Sequence, residues 1–450
     1  MAGEGAFAPA EELGGLPNGW QWKQVRDLVD KDRGICYGIV QPGKHDPAGV
    51  PMVNSQEVFG GRVSQTIGFK VSRELHQKYR RSMIRGGEVL LTLVGANFGQ
   101  VAVAPPHLEG FNCSRAVGLL PVVECPDFVA MCLRSRFVRR YMDNWANTTA
   151  QPTFNLADVA SLPIPWPPLP ERLAIAHILG TLDDKVELNR RRNQTLEAMA
   201  HALFKDWFVD FGPVRAKMEA REPYLPADLW QLFPDRLDDE GKPEGWEKRP
   251  IYEFSNVVYG APFASNQFNT AGSGLPLIRI RDLASQEPSV WTEEVHPKGH
   301  LIEPGDIVVG MDGEFRLHIW KGQPAWLNQR VCHFEPLRGV PSSFLVGALA
   351  EPLAFFERGK VGTTVIHLGK GDIDTFRLLH PGDNVLHAFA GAAEPWVAET
   401  VRNALESRTL ADLRDTLLPK LISGELRIKD AERFMDRVAP PAPSQAASAS

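Results

Sequence analysis

Seven basic side chains lie between residues 62 and 85, a segment in which Glu74 is the only acidic residue. The segment therefore carries a local surplus of +6 within a chain whose formal net charge is −6. Clustered Lys and Arg side chains suit phosphate groups, which supply affinity for nucleic acid without reading its sequence. An ordinary solvated face is the alternative for such a charge run. We expect phosphate contacts from Arg73, Lys78, Arg80 and Arg81.

A second set of polar side chains punctuates short strand-like segments in both halves of the chain. Arg, Asn and Gln are the side chains whose paired donors and acceptors match guanine and adenine edges in the major groove. Such residues are also common on ordinary polar surfaces, which is the alternative for each position. The sequence favours base reading by Asn97, Arg115, Arg316 and Gln329.

The motifs that carry most enzymatic chemistry are missing from the sequence. The chain has no GxxxxGK[ST] phosphate loop, no GxGxxG before a helix and no GxSxG. PDRLDDEGK (234–242) superficially resembles a metal-dependent nuclease signature, but its acidic residues are crowded into a Pro-bounded polar stretch typical of a solvated loop. The five cysteines are scattered and never spaced CxxC, which favours reduced thiols and argues against a zinc ribbon. We predict no catalytic residues, no metal site and no cofactor in this chain.

Length and composition restrict the class of protein further. A chain of 450 residues suggests two or three domains, and 43% hydrophobic with 23% charged residues is ordinary for a globular protein. No long apolar run is present, and MAGEGAFAPAEELGG lacks the basic start and apolar core of a secretory signal. The expectation is a cytoplasmic protein without membrane contact.

The sequence repeats itself at a constant offset of 214 residues, which indicates a duplicated unit. TLEAMAHALFKDWF (195–208) is matched by TLADLRDTLLPKLI (409–422). With small shifts, LPNGW (16–20) matches KPEGW (242–246), RGGEVLLT (85–92) matches EPGDIVVG (303–310), and NCSRAVGLLP (112–121) weakly matches NQRVCHFEP (328–336). The ungapped matches include Thr149 with Thr363, Asp158 with Asp372, Leu162 with Phe376, Asn189 with Asn403, and Leu203 with Leu417.

Each repeat combines short Val/Ile/Leu runs, broken by Gly, Pro and Asn, with a long helix, so the fold class is α+β. The first helix is expected from Pro170 to about Phe211, where Gly212-Pro213 should stop it. The second should be interrupted at Gly391 and end near Leu417, because Pro419 follows.

Apolar residues in both helices recur at steps of three and four, as in a coiled-coil seam. An antiparallel pair would bring Asn189 near Asn403, where their amides could bond and fix the register. Solvent exposure of these amides is the alternative. The residues predicted to pair are Leu182, Val186, Asn189, Leu196, Met199, Leu203, Asn403, Leu410, Leu413 and Leu417.

This arrangement resembles the specificity subunit of type I restriction-modification systems over residues 16–427. The resemblance is carried by LPNGW, the block from Leu169 to Phe208, PEGW (243–246) and TLADLRDTLLPKLISGEL (409–426). It implies two target-recognition domains that each read half of a bipartite double-stranded DNA site. It also implies an antiparallel coiled coil, with pseudo-two-fold symmetry, that sets the spacer and docks DNA adenine methyltransferase (modification) subunits. S-adenosylmethionine, ATP and Mg²⁺ would then belong to the modification subunits and to the restriction/translocase subunits.

The predicted boundaries follow from the repeat and the resemblance. They are a flexible N-terminus (1–15), a first target-recognition domain (16–167), a central spacer helix (168–212), a linker (213–240), a second target-recognition domain (241–381), a C-terminal spacer helix (382–428) and a disordered tail (429–450). Two other functions stay open: a protein-binding scaffold without DNA specificity, and a stand-alone nuclease or methyltransferase.

Overall fold

A computed structural model describes residues 15–95, 97–146, 154–359 and 367–428. Most of the predicted flexible N-terminus, the predicted disordered tail, and the matched pair Thr149 and Thr363 lie outside the described residues. The chain forms two compact units: unit 1 is Met1–Asp184 with Leu410–Ser450, and unit 2 is Lys185–Thr409. Each unit mixes strands and helices, so the predicted α+β class is confirmed.

Unit 1 is built on a four-stranded antiparallel sheet of order β2-β10-β7-β8, beside sheets β6-β3-β9, β1-β11 and β4-β5. Its strands are β1 (Gln21–Gln24), β2 (Cys36–Tyr37), β3 (Val50–Val53), β4 (Val58–Phe59), β5 (Arg62–Val63), β6 (Lys70–Val71), β7 (Val89–Thr92), β8 (Val101–Val103), β9 (Asn112–Cys113), β10 (Val117–Leu120) and β11 (Pro163–Trp166). Its shorter helices are α1 (Val25–Leu28), α2 (Arg73–Lys78), α3 (Pro126–Arg134), α4 (Arg136–Ala146) and α5 (Leu156–Ser161). The long helix α6 (Leu169–Phe204) begins in unit 1.

Unit 2 repeats this plan with a four-stranded antiparallel sheet of order β13-β21-β18-β19, beside sheets β14-β16-β15-β20-β17 and β12-β22. Its helices are α7 (Gly212–Met218), α8 (Ala227–Trp230), α9 (Ile280–Leu283), α10 (Ser342–Gly359), α11 (Lys370–Ile373) and the start of α12 (Asp383–Ser423). Its strands are β12 (Glu247–Pro250), β13 (Ser255–Tyr259), β14 (Phe268–Asn269), β15 (Leu275–Ile278), β16 (Trp291–Thr292), β17 (Leu301–Ile302), β18 (Ile307–Gly310), β19 (Leu317–Ile319), β20 (Ala325–Leu327), β21 (Val331–Pro336) and β22 (Arg377–His380).

The central strands explain why the sequence shows apolar runs rather than alternation. In β7, Val89 and Leu91 pack into one core of unit 1, while Leu90 between them packs into another. In β18, Val308 faces a different core from its two neighbours in the same way. A strand with apolar side chains buried on both faces reads as a continuous apolar run.

Equivalent hydrogen bonds in the two units confirm the duplication. The amide of Phe154 donates to the Leu93 carbonyl at 3.1 Å, and the amide of Leu368, 214 residues later, donates to the Met311 carbonyl at 2.7 Å. The constant offset extends back to the turn before β10 and β21. There the structure corrects the weak sequence match, because Ser114 and not Asn112 is the counterpart of Asn328.

The first long helix ends differently from the prediction. Regular α-helix stops at Phe204, and Lys205–Val209 form a wider π-helical turn. This turn directs Trp207 and Phe208 into the core of unit 2, where both pack on Phe389 at ring-centroid distances of 5.8 and 5.0 Å. Gly212-Pro213 do not stop a helix but begin α7, because Phe211 has already broken the chain direction with a φ of 53°.

The second long helix is longer than predicted, since α12 continues through Gly391 and Pro419 to Ser423. Buried Phe389 and Ala393 hold the helix on either side of the glycine. Pro419 lies exposed in the last turns of α12, where water can satisfy the carbonyl that proline leaves unpaired. The expected interruption at Gly391 and the expected end near Leu417 were wrong.

The residues predicted to pair between the two long helices differ in their burial. Asn189 and Asn403 are buried, with 0% and 4% of their surfaces exposed. Met199 and Leu413 are instead 42% and 46% exposed, so the structure does not place them in a buried seam. Leu182, Val186, Leu196, Leu203, Leu410 and Leu417 are half-buried. Spacing by threes and fours identifies the apolar stripe of a helix. This stripe is wider than a coiled-coil seam, so the spacing does not tell which of its residues are buried.

Within unit 1, α6 and α12 are joined by an ion cluster around Asp183. Arg134 and Arg414 donate to its carboxylate at 2.9 and 2.7 Å. Burial alone would raise the pKa of Asp183, but the Arg134 charge and the hydrogen bonds from Arg414 and Arg134 outweigh burial and lower the pKa. The ionised carboxylate therefore stabilises the folded state.

We expect Asp183→Asn to lower the free energy of unfolding by about 3 kcal/mol at pH 7, because two arginines lose their shared counter-ion. A carboxyl pKa that is lowered in the folded state stabilises above its ordinary value near about 4 and stops doing so as the pH falls through the folded-state pKa. The difference between the two proteins should therefore shrink below about pH 4. Denaturant unfolding followed by circular dichroism at pH 7 and pH 3 measures both effects.

Asp184→Asn is the matched control, because the neighbouring carboxylate is exposed and should change stability little. Equal unfolding midpoints for Asp183→Asn and the unsubstituted protein at pH 7 would contradict the ion-cluster argument.

Candidate nucleic-acid interface

The basic segment of unit 1 forms helix α2 followed by a short 3₁₀ turn, Arg80–Ser82. Ser72 caps the helix by accepting a hydrogen bond from the Leu75 amide at 3.2 Å. Arg73, Lys78 and Arg80 are exposed on this segment. The segment thus presents three cationic side chains from a short, capped element.

Buried polar contacts tie this segment to strand β9. The Asn112 side chain is fully buried; its amide donates to the Tyr79 carbonyl, and its carbonyl oxygen accepts from the Ser82 hydroxyl at 2.7 Å. The same amide lies 3.3 Å from His76 Nδ1. Burial, reinforced by the Arg73 charge, lowers the pKa of His76, so His76 adds no positive charge near neutral pH. Asn112 was missed by the sequence analysis, although an asparagine next to an apolar strand is a signal that could have indicated it.

Arg81 is exposed like the other three basic candidates but has structural partners. Its guanidinium donates through Nη2 and Nε to the Arg33 carbonyl at 2.7 and 3.2 Å. Arg33 is itself buried and pairs with buried Glu88. A phosphate contact from Arg81 would have to share these donors, whereas Arg73, Lys78 and Arg80 have no such ties to described residues.

The four candidates for base reading fall into two pairs of corresponding places. Asn97 lies in the hairpin loop between β7 and β8, and Arg316 lies in the corresponding loop between β18 and β19. Both side chains have protein partners: Asn97 Nδ2 donates to the Ser55 carbonyl at 3.1 Å, and Arg316 pairs with Glu314 at 2.8 Å.

Arg115 and Gln329 form the second pair, each at the first position of the turn that precedes β10 or β21. Both are exposed, and neither side chain makes a hydrogen bond or ion pair with the residues that the structure describes. This turn lies beside the hairpin loop in both units, because Leu93 donates to the Ala116 carbonyl and Met311 donates to the Arg330 carbonyl.

Two glycines that the sequence analysis missed hold these turns in place. Gly38 and Gly260 each follow a tyrosine and precede the residue that forms a lone parallel bridge, Ile39 with Ser114 and Ala261 with Asn328. A Cβ atom on Gly38 would lie 1.9 Å from the Cys113 carbonyl oxygen, and one on Gly260 would lie 2.1 Å from that of Asn328. Only glycine permits so close an approach. The repeated Tyr-Gly pair was the available signal.

The acidic segment 234–242 has the geometry of a solvated loop, as predicted. Asp238 accepts hydrogen bonds from the backbone amides of Glu240 and Lys242 and pairs with the Lys242 side chain. Arg236 pairs with Glu244 across the same turn. Among the described residues, no group of three or more His, Cys, Asp or Glu side chains is arranged to hold a metal ion. No described helix has the length and apolar character needed to cross a bilayer.

Comparison with known proteins agrees with this architecture. A family model described as the type I restriction modification DNA specificity domain matches residues 17–198 and 243–383. The type I restriction enzyme HindI specificity subunit of Haemophilus influenzae is 24% identical over 405 residues, which cover 77% of this chain and 88% of that protein. The MjaIX specificity subunit of Methanocaldococcus jannaschii is 24% identical over 438 residues, which cover 93% and 96%.

A solved structure gives the same fold. The crystal structure of the S subunit of a type I restriction-modification system from M. genitalium has a TM-score of 0.54 at 16% identity, covering 91% of this chain and 98% of that one. The resemblance found in the sequence is confirmed. Because the family model matches more than half of its residues, the chain belongs to the type I restriction-modification DNA specificity family and is a specificity subunit, not an enzyme.

Proposed function

We propose that each unit reads one half of a bipartite double-stranded DNA site. The observation that carries this proposal is the position of the basic segment in unit 1, where Asn112 ties α2 to strand β9. Phosphate-binding side chains on a rigid segment can fix the register of a domain on DNA, so that other side chains reach base edges. Arg73, Lys78 and Arg80 would contact phosphates, with Arg81 contributing through its remaining donors.

The two long helices would set the distance between the half-sites by pairing as an antiparallel coiled coil with pseudo-two-fold symmetry. Helices of 36 and 41 residues are about 54 and 62 Å long, compared with about 34–36 Å for one turn of duplex DNA. Polar contacts within unit 2 support the pairing. Asn189 Nδ2 donates to the Asn403 carbonyl at 3.3 Å, and Asn403 Nδ2 donates to Asn193 Oδ1 at 2.9 Å.

We further propose that unit 2 docks a DNA adenine methyltransferase subunit through an apolar groove of about 710 Å³ beside α6, α10 and α12. In unit 1, the corresponding helices carry the ion cluster of Arg134, Asp183 and Arg414. The offset of 214 pairs Asp183 with Val397 and Arg414 with Ala200. Arg134 corresponds to Ala350, because each is the ninth residue of its helix, α3 or α10. Ala350, Val397 and Ala200 all line the groove. The duplicated helices thus keep an exposed apolar surface where unit 1 is closed by charge.

S-adenosylmethionine, ATP and Mg²⁺ would accordingly be bound by the modification and restriction/translocase subunits and not by this chain. The competing function is a scaffold that binds only protein. The two proposals differ in how binding to DNA depends on salt, because phosphate contacts release counter-ions and protein contacts do not.

The complex assembled with modification subunits should select a bipartite sequence from a library of random duplexes, with affinity that falls steeply as salt rises. Lys78→Gln and Arg73→Gln should each weaken binding to all sequences alike and lower the slope of log K against log salt by about 1. Fluorescence anisotropy across a salt series measures the slope. Arg221→Gln, which removes an exposed arginine paired with Glu219, is the control. A wild-type affinity that does not change with salt would favour the scaffold.

Cysteines substituted for Asn189 and Asn403 should form a disulfide under mild oxidation, because the Asn189 side chain reaches the backbone carbonyl of Asn403 on the other helix. In the control, cysteine is placed at Leu188 instead of Asn189 and paired with the same cysteine at position 403, because Leu188 is 43% exposed. Non-reducing gel electrophoresis after proteolysis between the helices detects the link. A link through position 188 but not 189 would refute the proposed register.

Ala200→Arg should weaken binding of the modification subunit at least about tenfold, because it places a long, charged side chain in the apolar groove. Ala198→Arg is the control, since Ala198 is exposed on the same helix and does not line the groove. Titration of labelled modification subunit gives both dissociation constants. Equal effects of the two substitutions would exclude the groove as the docking site.

A further inference from the structure

Arg115 and Gln329 occupy the same position in the two units, although they lie in segments whose sequences match only weakly. Each follows the residue that forms the lone parallel bridge, Ser114 or Asn328. The offset between them is 214, the same as between the amides of Phe154 and Leu368. The two units therefore present different side chains from one backbone position.

The backbone at this position is fixed by equivalent contacts. Val117 donates to the Ser114 carbonyl at 3.0 Å, and Val331 donates to the Asn328 carbonyl at 2.9 Å, which closes the turn in both units. The next residue accepts from the start of the hairpin loop, Ala116 from Leu93 at 2.8 Å and Arg330 from Met311 at 2.9 Å. A side chain on such a turn is presented from a rigid base, as base recognition requires.

The side chains of Arg115 and Gln329 differ from neighbouring polar side chains because they have no partner among the described residues. Arg330 Nε lies 3.4 Å from Asp312, and Arg316 pairs with Glu314. The side chains of Arg115 and Gln329 are exposed and make no hydrogen bond or ion pair with any described residue. The full donor and acceptor capacity of these two side chains is available to a ligand.

In unit 1 this position is also connected to the phosphate-binding segment. Asn112, which bonds the Tyr79 carbonyl and the Ser82 hydroxyl, is three residues before Arg115. Cys113 and Ser114, between them, donate to Asn112 Oδ1 and to the Val53 carbonyl. Phosphate contacts by α2 would therefore fix where Arg115 lies relative to the duplex.

We infer that Arg115 and Gln329 are one base-reading position, used to select guanine in the half-site of unit 1 and adenine in the half-site of unit 2. The guanidinium of Arg115 can donate two hydrogen bonds to guanine O6 and N7. The carboxamide of Gln329 can accept from adenine N6 and donate to N7. This assignment rests on the proposed DNA recognition, and it adds the residue and the base that each unit reads.

The test uses the full chain assembled with its modification subunits and a library of duplexes randomised in both half-sites. Arg115→Gln should change the preference at one base pair of one half-site from guanine to adenine, by on the order of 10- to 100-fold, and leave the other half-site unchanged. Gln329→Arg should produce the reverse change in the other half-site. The unchanged half-site in each experiment is the internal control for folding and assembly.

Arg115→Lys provides a second variant that keeps the charge but loses the planar fork of donors. It should relax the preference for guanine at the same base pair. An unchanged consensus for Arg115→Gln and Gln329→Arg would overturn the inference, as would a weakening that is equal for all sequences and lowers the salt slope by about 1. In both cases the wild-type complex would still select a bipartite site. If it selected none, the proposed function itself would fail.

Discussion

In each unit, two neighbouring sheets are joined where a glycine lies so close to the backbone of the other sheet that no side chain would fit. Gly38 follows β2 of the four-stranded sheet and lies against the carbonyl of Cys113, which ends β9 of the neighbouring sheet. Gly260 makes a similar contact in unit 2, where it lies against the carbonyls of Asn328 and Leu327. Because this contact fixes where the turn before β10 or β21 emerges, the exposed residue of that turn depends on a glycine far from it in sequence. Any side chain at either glycine would separate the two sheets.

The features that repeat locally could be predicted from the sequence. Short apolar runs predict the buried strands β7 and β18. The match of 195–208 with 409–422 predicts the long helices and the constant offset. The errors arose where solvent exposure or tertiary packing, and not local preference, decides the structure. Pro419 is tolerated because it is exposed near a helix end, and the π-helical turn at Lys205–Val209 exists because Trp207 and Phe208 pack on Phe389. No residue spacing encodes either fact.

The candidate site was only partly predictable for a related reason. Residue type suggested Asn97, Arg115, Arg316 and Gln329 alike, since all four can read base edges. The structure separates them by their partners: Asn97 bonds the Ser55 carbonyl and Arg316 pairs with Glu314. The partner is 42 residues away in sequence for Asn97 and two residues away for Arg316. A sequence lists donors and acceptors but does not say which of them the fold already uses.

The two units show how a duplicated chain can keep its framework and change its surface. The framework consists of backbone contacts, such as the bridges at Ser114 and Asn328, which place no demand on the exposed side chain beside them. Arg115 can therefore stand where unit 2 has Gln329 without a cost in packing. The long helices differ in the same way. Unit 1 has the ion pair of Asp183 and Arg414 where unit 2 has Val397 and Ala200, which line an apolar groove. Main-chain hydrogen bonds hold the framework of both units together. Exposed side chains can therefore differ between the units, and with them the ligand that each unit binds.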